Sequence, residues 1–448
     1  MEKPWDSYVQ RGFPANLDDL HSPHHRDSPL VTTRAPLDAG QEHEDDTARI
    51  AIISSPGLPK MMGSLHPAGS LYEKPVNLRR AVEQHNALRR LLESHGVKVY
   101  DVHDILLKDT ERSVSARVAL EKLAARCLTY QFSTDVDLTR LAASEHEFIA
   151  DSYKQKVLEV MAPEQLADII KTNPVVTIEP SGRDTGFTAS YCFKPLTNLL
   201  FTRDQQVTTR RGIVMARLRS EQRRREVDVM QFCFEKLKLK IIGRIPEHAY
   251  LEGGDFFPAG EDLCFIGIGL RSNMDAVRYM LDHDLFGTRR VAVVKDELDQ
   301  SQDRMHLDCV FNIIGRKTVI MLEDIIGLKS PIRRMVDEYA REAECEPYRL
   351  SRSDVEFAAY VEDQKFDIIP LSFADQMAYG CNVLNLGAGH VVSVCSSAAR
   401  KIVADERFRG NIEYLDFSQC TAMYGAAHCA TQIVYRSRLP PFQLEHER

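Results

Sequence analysis

No apolar run in this 448-residue chain reaches the roughly 18 residues needed to cross a bilayer, so no helical membrane span is expected. The opening MEKPWDSYVQRGF lacks the apolar core of a secretory signal, which sets the expectation of a cytoplasmic protein. None of the ten cysteines, at 127, 192, 233, 264, 309, 345, 381, 395, 420 and 429, forms a CxxC pair. In a large chain without a leader this spacing suggests free thiols in a reducing compartment and argues against zinc ribbons. There is no excess of positive charge either. The net charge of −8 disfavours a general nucleic-acid binder. RLRSEQRRRE (217–226) is basic enough to raise the question of an RNA patch, but its interleaved acids suit a partly solvated helix better.

What is present is ordinary globular composition, 44% hydrophobic and 27% charged. Residues 1–47 are polar, rich in Pro and His, and end in QEHEDD; they read as a loosely ordered arm, with HSPHH a solvated tail rather than a metal site. RIAIISSPG (49–57) reads as a buried strand running into a turn. Leu78, Val82, Leu88, Leu91 and Leu92 then keep helical spacing up to Gly96, and VKVYDV follows as a short strand. From about 104 to 172 the pattern is almost entirely helical, which suggests an insertion. After Pro174 short strands alternate with single helices through NLLFTRD, GIVMARL, DLCFIGIG, RRVAVVK, VFNIIG, NVLNLG and ATQIVYR. This rhythm predicts one mixed α/β domain, 48–448, assembled from repeated modules.

Three stretches place acids at the ends of predicted strands. NLLFTRD gives Asp204, YLEGGD gives Glu252 and Asp255, and MHLD puts His306 and Asp308 on one side of an extended segment. Near the C-terminus GAAHCATQ (425–432) offers Cys429 beside a histidine. Singly, each has an ordinary reading: a turn acid, a hairpin cap, a core histidine, a buried thiol. Together, Asp, Glu, Asp, His and one Cys make a poor zinc site and a good site for a planar cation. Carboxylates accept paired hydrogen bonds from a guanidinium. A thiolate can then attack the guanidinium carbon, with a histidine handling the proton of the departing ammonia.

In YEKPVNL, PLTNLLFTRD, RRRE, LEGGDFFPAGEDLCFIGIGLR, MHLDCVFNIIG and GAAHC, in this order over about residues 48–440, the chain resembles the arginine deiminases. These belong to the guanidino-group-modifying superfamily, which also holds the amidinotransferases. The resemblance implies a five-fold pseudosymmetric α/β propeller of ββαβ-like modules with an axial active site, and 104–172 looks like the helical insertion of that family. It implies Cys429 as nucleophile and His306 as acid/base. Asp204 and Asp308 would grip the guanidinium, and Glu252 would support His306. Asn198 and Phe201 would line the channel, while Arg223 and Arg271 would bind the substrate α-carboxylate. The implied reaction converts free L-arginine to citrulline and ammonia through an S-alkylthiouronium on Cys429, with no cofactor and no metal, in a homo-oligomer. Arg223 follows Asp204 by nineteen residues and Arg271 follows Glu252 by nineteen, which fits two equivalent modules. Tyr424, Gly425, Ala426 and Ala427 depart from the pattern, since many members have glycines and an Arg just before the His-Cys pair. Transfer of the amidino group to an amine remains the chief rival, followed by agmatine hydrolysis and a catalytically silent binding scaffold.

Overall fold

The computed structural model describes residues 38–181, 186–344 and 346–438. Its strands form six sheets, and five of them repeat one pairing pattern. A hairpin pairs two strands antiparallel; the chain then crosses a helix and returns parallel to the second strand. In the first such module Gln206–Thr209 pairs with Gly212–Met215, and Ile241–Arg244 returns after helix Arg224–Lys236. Phe256–Pro258, Leu263–Ile268 and Arg290–Lys295 repeat this around helix Met274–Asp282. Phe311–Gly315, Thr318–Leu322 and Asp367–Leu371 form the third module, with helix Phe357–Asp363 leading into the returning strand. Leu384–Gly387, His390–Ser393 and Asn411–Tyr414 form the fourth, around helix Ser396–Ala404. The fifth draws on both ends of the described chain. Gln432–Ser437 pairs antiparallel with Thr47–Ile53, and Lys98–Asp101 returns parallel after helix Leu78–Ser94.

Hairpin strands such as Gly212–Met215 and Leu384–Gly387 are buried at every position. That is why they read as continuous apolar runs rather than as alternation. The helices cover one face only: Met274–Asp282 buries Ala276, Val277, Met280 and Leu281, and the Asn273 side chain caps its start by accepting from the Ala276 N–H. Edge-on aromatic packing joins the second module to the third, with ring centroids of Phe257 and Phe311 5.4 Å apart. Buried amides tie further neighbours. Asn312 Nδ2 donates to the Val383 carbonyl at 2.8 Å, Asn385 Nδ2 to the Ile313 carbonyl at 3.1 Å, and Gln432 Nε2 to Thr208 Oγ1 at 2.8 Å.

The structure departs from the sequence reading in three places. The 104–172 segment is not wholly helical: Thr129–Phe132, a β-branched and aromatic run, pairs parallel with Pro174–Pro180, which pairs with Phe187–Phe193 in the sixth sheet. NLLFTRD is not a strand. It runs through successive turns, and the strand starts only at Gln206, so Asp204 precedes its strand instead of ending one. The end of the supposed arm is built into the molecule. Glu44 accepts from Arg436 Nη2 at 2.6 Å, and Asp45 accepts from the Gly389 N–H at 2.8 Å and from Asn385 Nδ2 at 3.1 Å, so these acids are buried acceptors and not a solvated run. HSPHH lies outside the described residues.

Candidate active site

Each of the five modules opens with a turn, and these turns meet. Asp204 lies two residues before its strand, Asp255 one before, Asp308 three before, Asn382 two before and Cys429 three before. Backbone bonds knit the turns together: the Arg203 N–H donates to the Cys429 carbonyl at 3.2 Å and the Gly253 N–H to the Asp204 carbonyl at 3.2 Å. A Cβ on Gly254 would fall 2.8 Å from His306 Nδ1 and 3.1 Å from Asp308 Oδ1, so only glycine lets these two side chains approach that backbone.

His306 is buried with its Nε2 2.8 Å from Glu252 Oε2 and its Nδ1 3.9 Å from Asp204 Oδ1. Burial opposes its charge, but Asp204, the Glu252 hydrogen bond and Asp255 outweigh burial and hold its pKa up at about 10. Burial likewise opposes charge on Glu252, yet His306, Arg271 and Arg223 bring its carboxyl down to about 2. The pair is therefore imidazolium and carboxylate at neutral pH. Asp255 accepts from Ser272 Oγ at 2.6 Å and from the Leu307 N–H at 2.9 Å, which fixes the short 3-10 turn Leu307–Cys309 between His306 and the third strand pair. Burial pushes the Asp255 carboxyl up to about 6.

The Cys429 sulfur lies 3.5 Å from Asp308 Oδ2. Asn382 grips the same residue twice: Nδ2 donates to Sγ at 3.1 Å and Oδ1 accepts the Cys429 N–H at 3.3 Å. Burial, then Asp308 and Asp204, push the thiol well above its ordinary value. His428, next in sequence, does not serve the sulfur. Its Nδ1 meets Asp308 Oδ2 at 2.8 Å, its ring stacks on Phe257 at 5.3 Å, and burial and Arg203 keep its pKa low. Burial opposes ionisation of Asp308, but His428, His306 and Arg203 together hold it ionised.

The two arginines differ. Arg223 is buried and committed, with Nη1 on Asp204 Oδ2 at 2.8 Å and Nε on Glu226 Oε2 at 3.1 Å. Arg271 donates from Nη2 to Gln302 Oε1 at 3.1 Å and stands 3.9 Å from Glu252, while its buried Nε has no hydrogen-bond partner. A pocket beside the thiol is lined by Asn198, Phe201, Asp204, His306 and both arginines, Arg223 and Arg271, among others. The Asn198 Nδ2 is held by the Ser70 carbonyl at 3.1 Å, and Phe201 packs over Gly425, where a Cβ would strike its ring. Tyr424 borders the pocket with a left-handed backbone, φ 64°, unusual for a bulky residue. Sequence reasoning missed Asn382 and Glu226 as contributors and named Asp255 without giving it a role; position relative to each module's first strand was the signal for Asn382.

Asp204, Glu252 and His306 present ligand atoms within 4.8 Å of one another. A divalent cation would have to displace the proton that Asp204 and Glu252 hold on His306, so the donor set suits proton handling better than metal binding. The Cys429 thiol thus faces an ionised Asp308, and the His306 imidazolium lines the same pocket. Residues 69–436 match the model of the arginine deiminase family, and the chain belongs to that family. It is 24% identical to the arginine deiminase of Halobacterium salinarum, across 88% of this chain and 96% of that one. It is 26% identical to the arginine deiminase of Mycolicibacterium gilvum, across 67% of this chain and 74% of that one. The crystal structure of AgrE in ternary complex with ornithine and NAD+ aligns with a TM-score of 0.50 at 15% identity. That alignment covers 88% of this chain and 40% of the longer AgrE chain, and it speaks for a shared α/β fold.

Proposed function

We propose that this protein hydrolyses free L-arginine to citrulline and ammonia at Cys429. The observation that carries the reading is a pair of buried carboxylates facing one thiol. Asp308 lies 3.5 Å from the sulfur, and Asp204 keeps Oδ1 without a hydrogen-bond partner, as does His306 Nδ1 3.9 Å away. The N–H groups of a guanidinium would satisfy Asp204 and Asp308 together. The resting thiol is protonated, because burial and the carboxylates oppose its charge. A bound cation offsets those carboxylates and favours loss of the thiol proton to solvent, so substrate itself arms the nucleophile.

The steps then balance. Thiolate adds to the guanidinium carbon, His306 gives its proton to one amino group, the C–N bond breaks and ammonia leaves. The carbon stays bound to sulfur as a thiouronium. Neutral His306 takes a proton from water, hydroxide adds to the same carbon, the C–S bond breaks as the hydroxyl proton passes to the departing sulfur, and citrulline leaves with the thiol and the imidazolium restored. Glu252 holds His306 in register through both steps. Arg271, with its free Nε, reads the α-carboxylate; Asn198 and Phe201 line the approach.

The five modules are read as blades of a five-fold propeller. Their shared pairing pattern and meeting turns support this, and the closure of the fifth sheet by strands from both ends supports a single catalytic unit over 48–448. The deciding experiment is incubation with L-arginine and no added amine, followed by assay of citrulline and ammonia. Equal amounts of both are expected. Ornithine formed only when an amine acceptor is supplied, with no citrulline, would instead mean amidino transfer.

A further inference from the structure

We infer that Asn382 is a catalytic residue that stabilises the Cys429 thiolate. The inference rests on the reading of Cys429 as nucleophile and adds a member to the site. Four of the five modules bring an acid or the thiol to the centre in the turn before their first strand. The fourth module brings an amide at the equivalent place, two residues before Leu384–Gly387.

Asn382 is buried, and its orientation is decided by the backbone. The Cys429 N–H is a donor only, so the side-chain atom facing it at 3.3 Å must be the carbonyl Oδ1. Nδ2 therefore points at Sγ, 3.1 Å away, and also reaches the Asp308 carbonyl at 3.4 Å. Among the described residues it is the side chain that donates a hydrogen bond to this sulfur. Asp308 can only accept from it. Once the thiol ionises, Asp308 and the sulfur repel, and the Asn382 N–H strengthens beside the Ala426 backbone contact, because donors to an anion bind more tightly than donors to a neutral group. An acid in this place would add a third carboxylate beside the sulfur; an amide supplies a proton donor without charge.

The test follows alkylation of Cys429 by iodoacetamide against pH in the absence of arginine, with the Cys429 peptide quantified by mass spectrometry so that other thiols do not interfere. Two variants are used. Asn382→Asp keeps the size and the acceptor for the Cys429 N–H and puts a carboxylate where the donor stood; Asn382→Ala removes donor and acceptor without adding charge. In each, the inflection of Cys429 reactivity should rise by at least one pH unit, and kcat for arginine should fall thirty-fold or more with KM within about three-fold. A residue that merely shapes the turn would leave the inflection where it is. Profiles that coincide with the wild type in both variants overturn the proposal. The alkylation readout needs no turnover, so a wild type that makes no citrulline would sink the arginine reading while the role of Asn382 is still decided.

Discussion

Nη1 of Arg223 lies 2.8 Å from Oδ2 of Asp204, and Nη2 of the same guanidinium lies 3.0 Å from Glu226. The side chain expected to bind the α-carboxylate lines the pocket and is at the same time the counterion of a pocket acid. The equal nineteen-residue offsets do place Arg223 and Arg271 alike in two modules, but three residues further on the first has Glu226 and the second Met274. Glu226 holds Arg223 at 3.0 Å, whereas the nearest acid to Arg271, Glu252, stands back at 3.9 Å. Arg271→Ala should therefore raise KM for arginine about ten- to a hundred-fold, the loss of one charge-assisted contact of about 1.5–3 kcal/mol, and penalise agmatine far less. Arg223→Ala should leave two buried carboxylates unpaired, cost about 3–5 kcal/mol of stability, and lower kcat on both compounds. Measuring kcat/KM for arginine and agmatine on both variants, with thermal unfolding alongside, separates the two roles. An Arg223 variant that changes only KM for arginine would return it to the carboxylate.

The pH dependence follows from His306. Its pKa stands at about 10 in the folded protein against an ordinary 6.5. A pKa raised by folding contributes stability that is fully present below 6.5 and is lost as pH climbs through about 10. Stability should fall over that window, and activity should fall at its upper end as the ammonia-protonating acid disappears. Glu252→Gln removes one of the groups that hold the proton, so the alkaline limb of kcat/KM should move to lower pH by at least one unit. A limb that stays in place would mean that His306 is not the acid.

Cys429→Ser should abolish turnover and leave the fold intact, since a hydroxyl is far less acidic and less nucleophilic than a thiol. Cys420 lies in a buried apolar cluster, so Cys420→Ala should cost little activity and, as a small cavity, about 1 kcal/mol of stability. Citrulline assays on both variants decide this; a tenth of the wild-type rate surviving in Cys429→Ser would remove Cys429 from the nucleophile's role.

The acids, His306 and Cys429 were legible because their residue types stand out in short apolar contexts. Their convergence was legible from the set taken together and from the family resemblance, but not from local pattern, because each module opens with a different turn: Thr-Arg-Asp through successive turns, Gly-Gly-Asp and Leu-Asp-Cys as 3-10 turns. Asn382 stayed hidden for a simpler reason, since CNVLNL presents an amide within an apolar run and shows no charge. Residues 41–46 were misread because acids that accept from Arg436, Asn385 and Gly389 look, in sequence, the same as acids facing water.

Adjacent glycines in LEGGD should separate folding from chemistry. Neither Gly253 nor Gly254 has a positive φ, so both are required by space and not by backbone conformation. A Cβ on Gly253 would overlap the Arg203 and Gln206 carbonyls, which are backbone and cannot swing away. Gly253→Ala should therefore push two modules apart and destabilise the protein by several kcal/mol, on the order of other overpacking substitutions at their severe end. The Cβ on Gly254 instead meets side chains, His306 Nδ1 at 2.8 Å and Asp308 Oδ1 at 3.1 Å. These can shift by a few tenths of an ångström, so Gly254→Ala should fold. The shift, however, moves the imidazole away from Glu252 and tilts Asp308 from the sulfur, and a small misplacement of reacting groups can cost on the order of a hundred-fold in rate. Thermal unfolding and kcat on the two alanine variants make the comparison. Gly254→Ala with near-normal kcat would show that His306 and Asp308 are not held where the chemistry needs them.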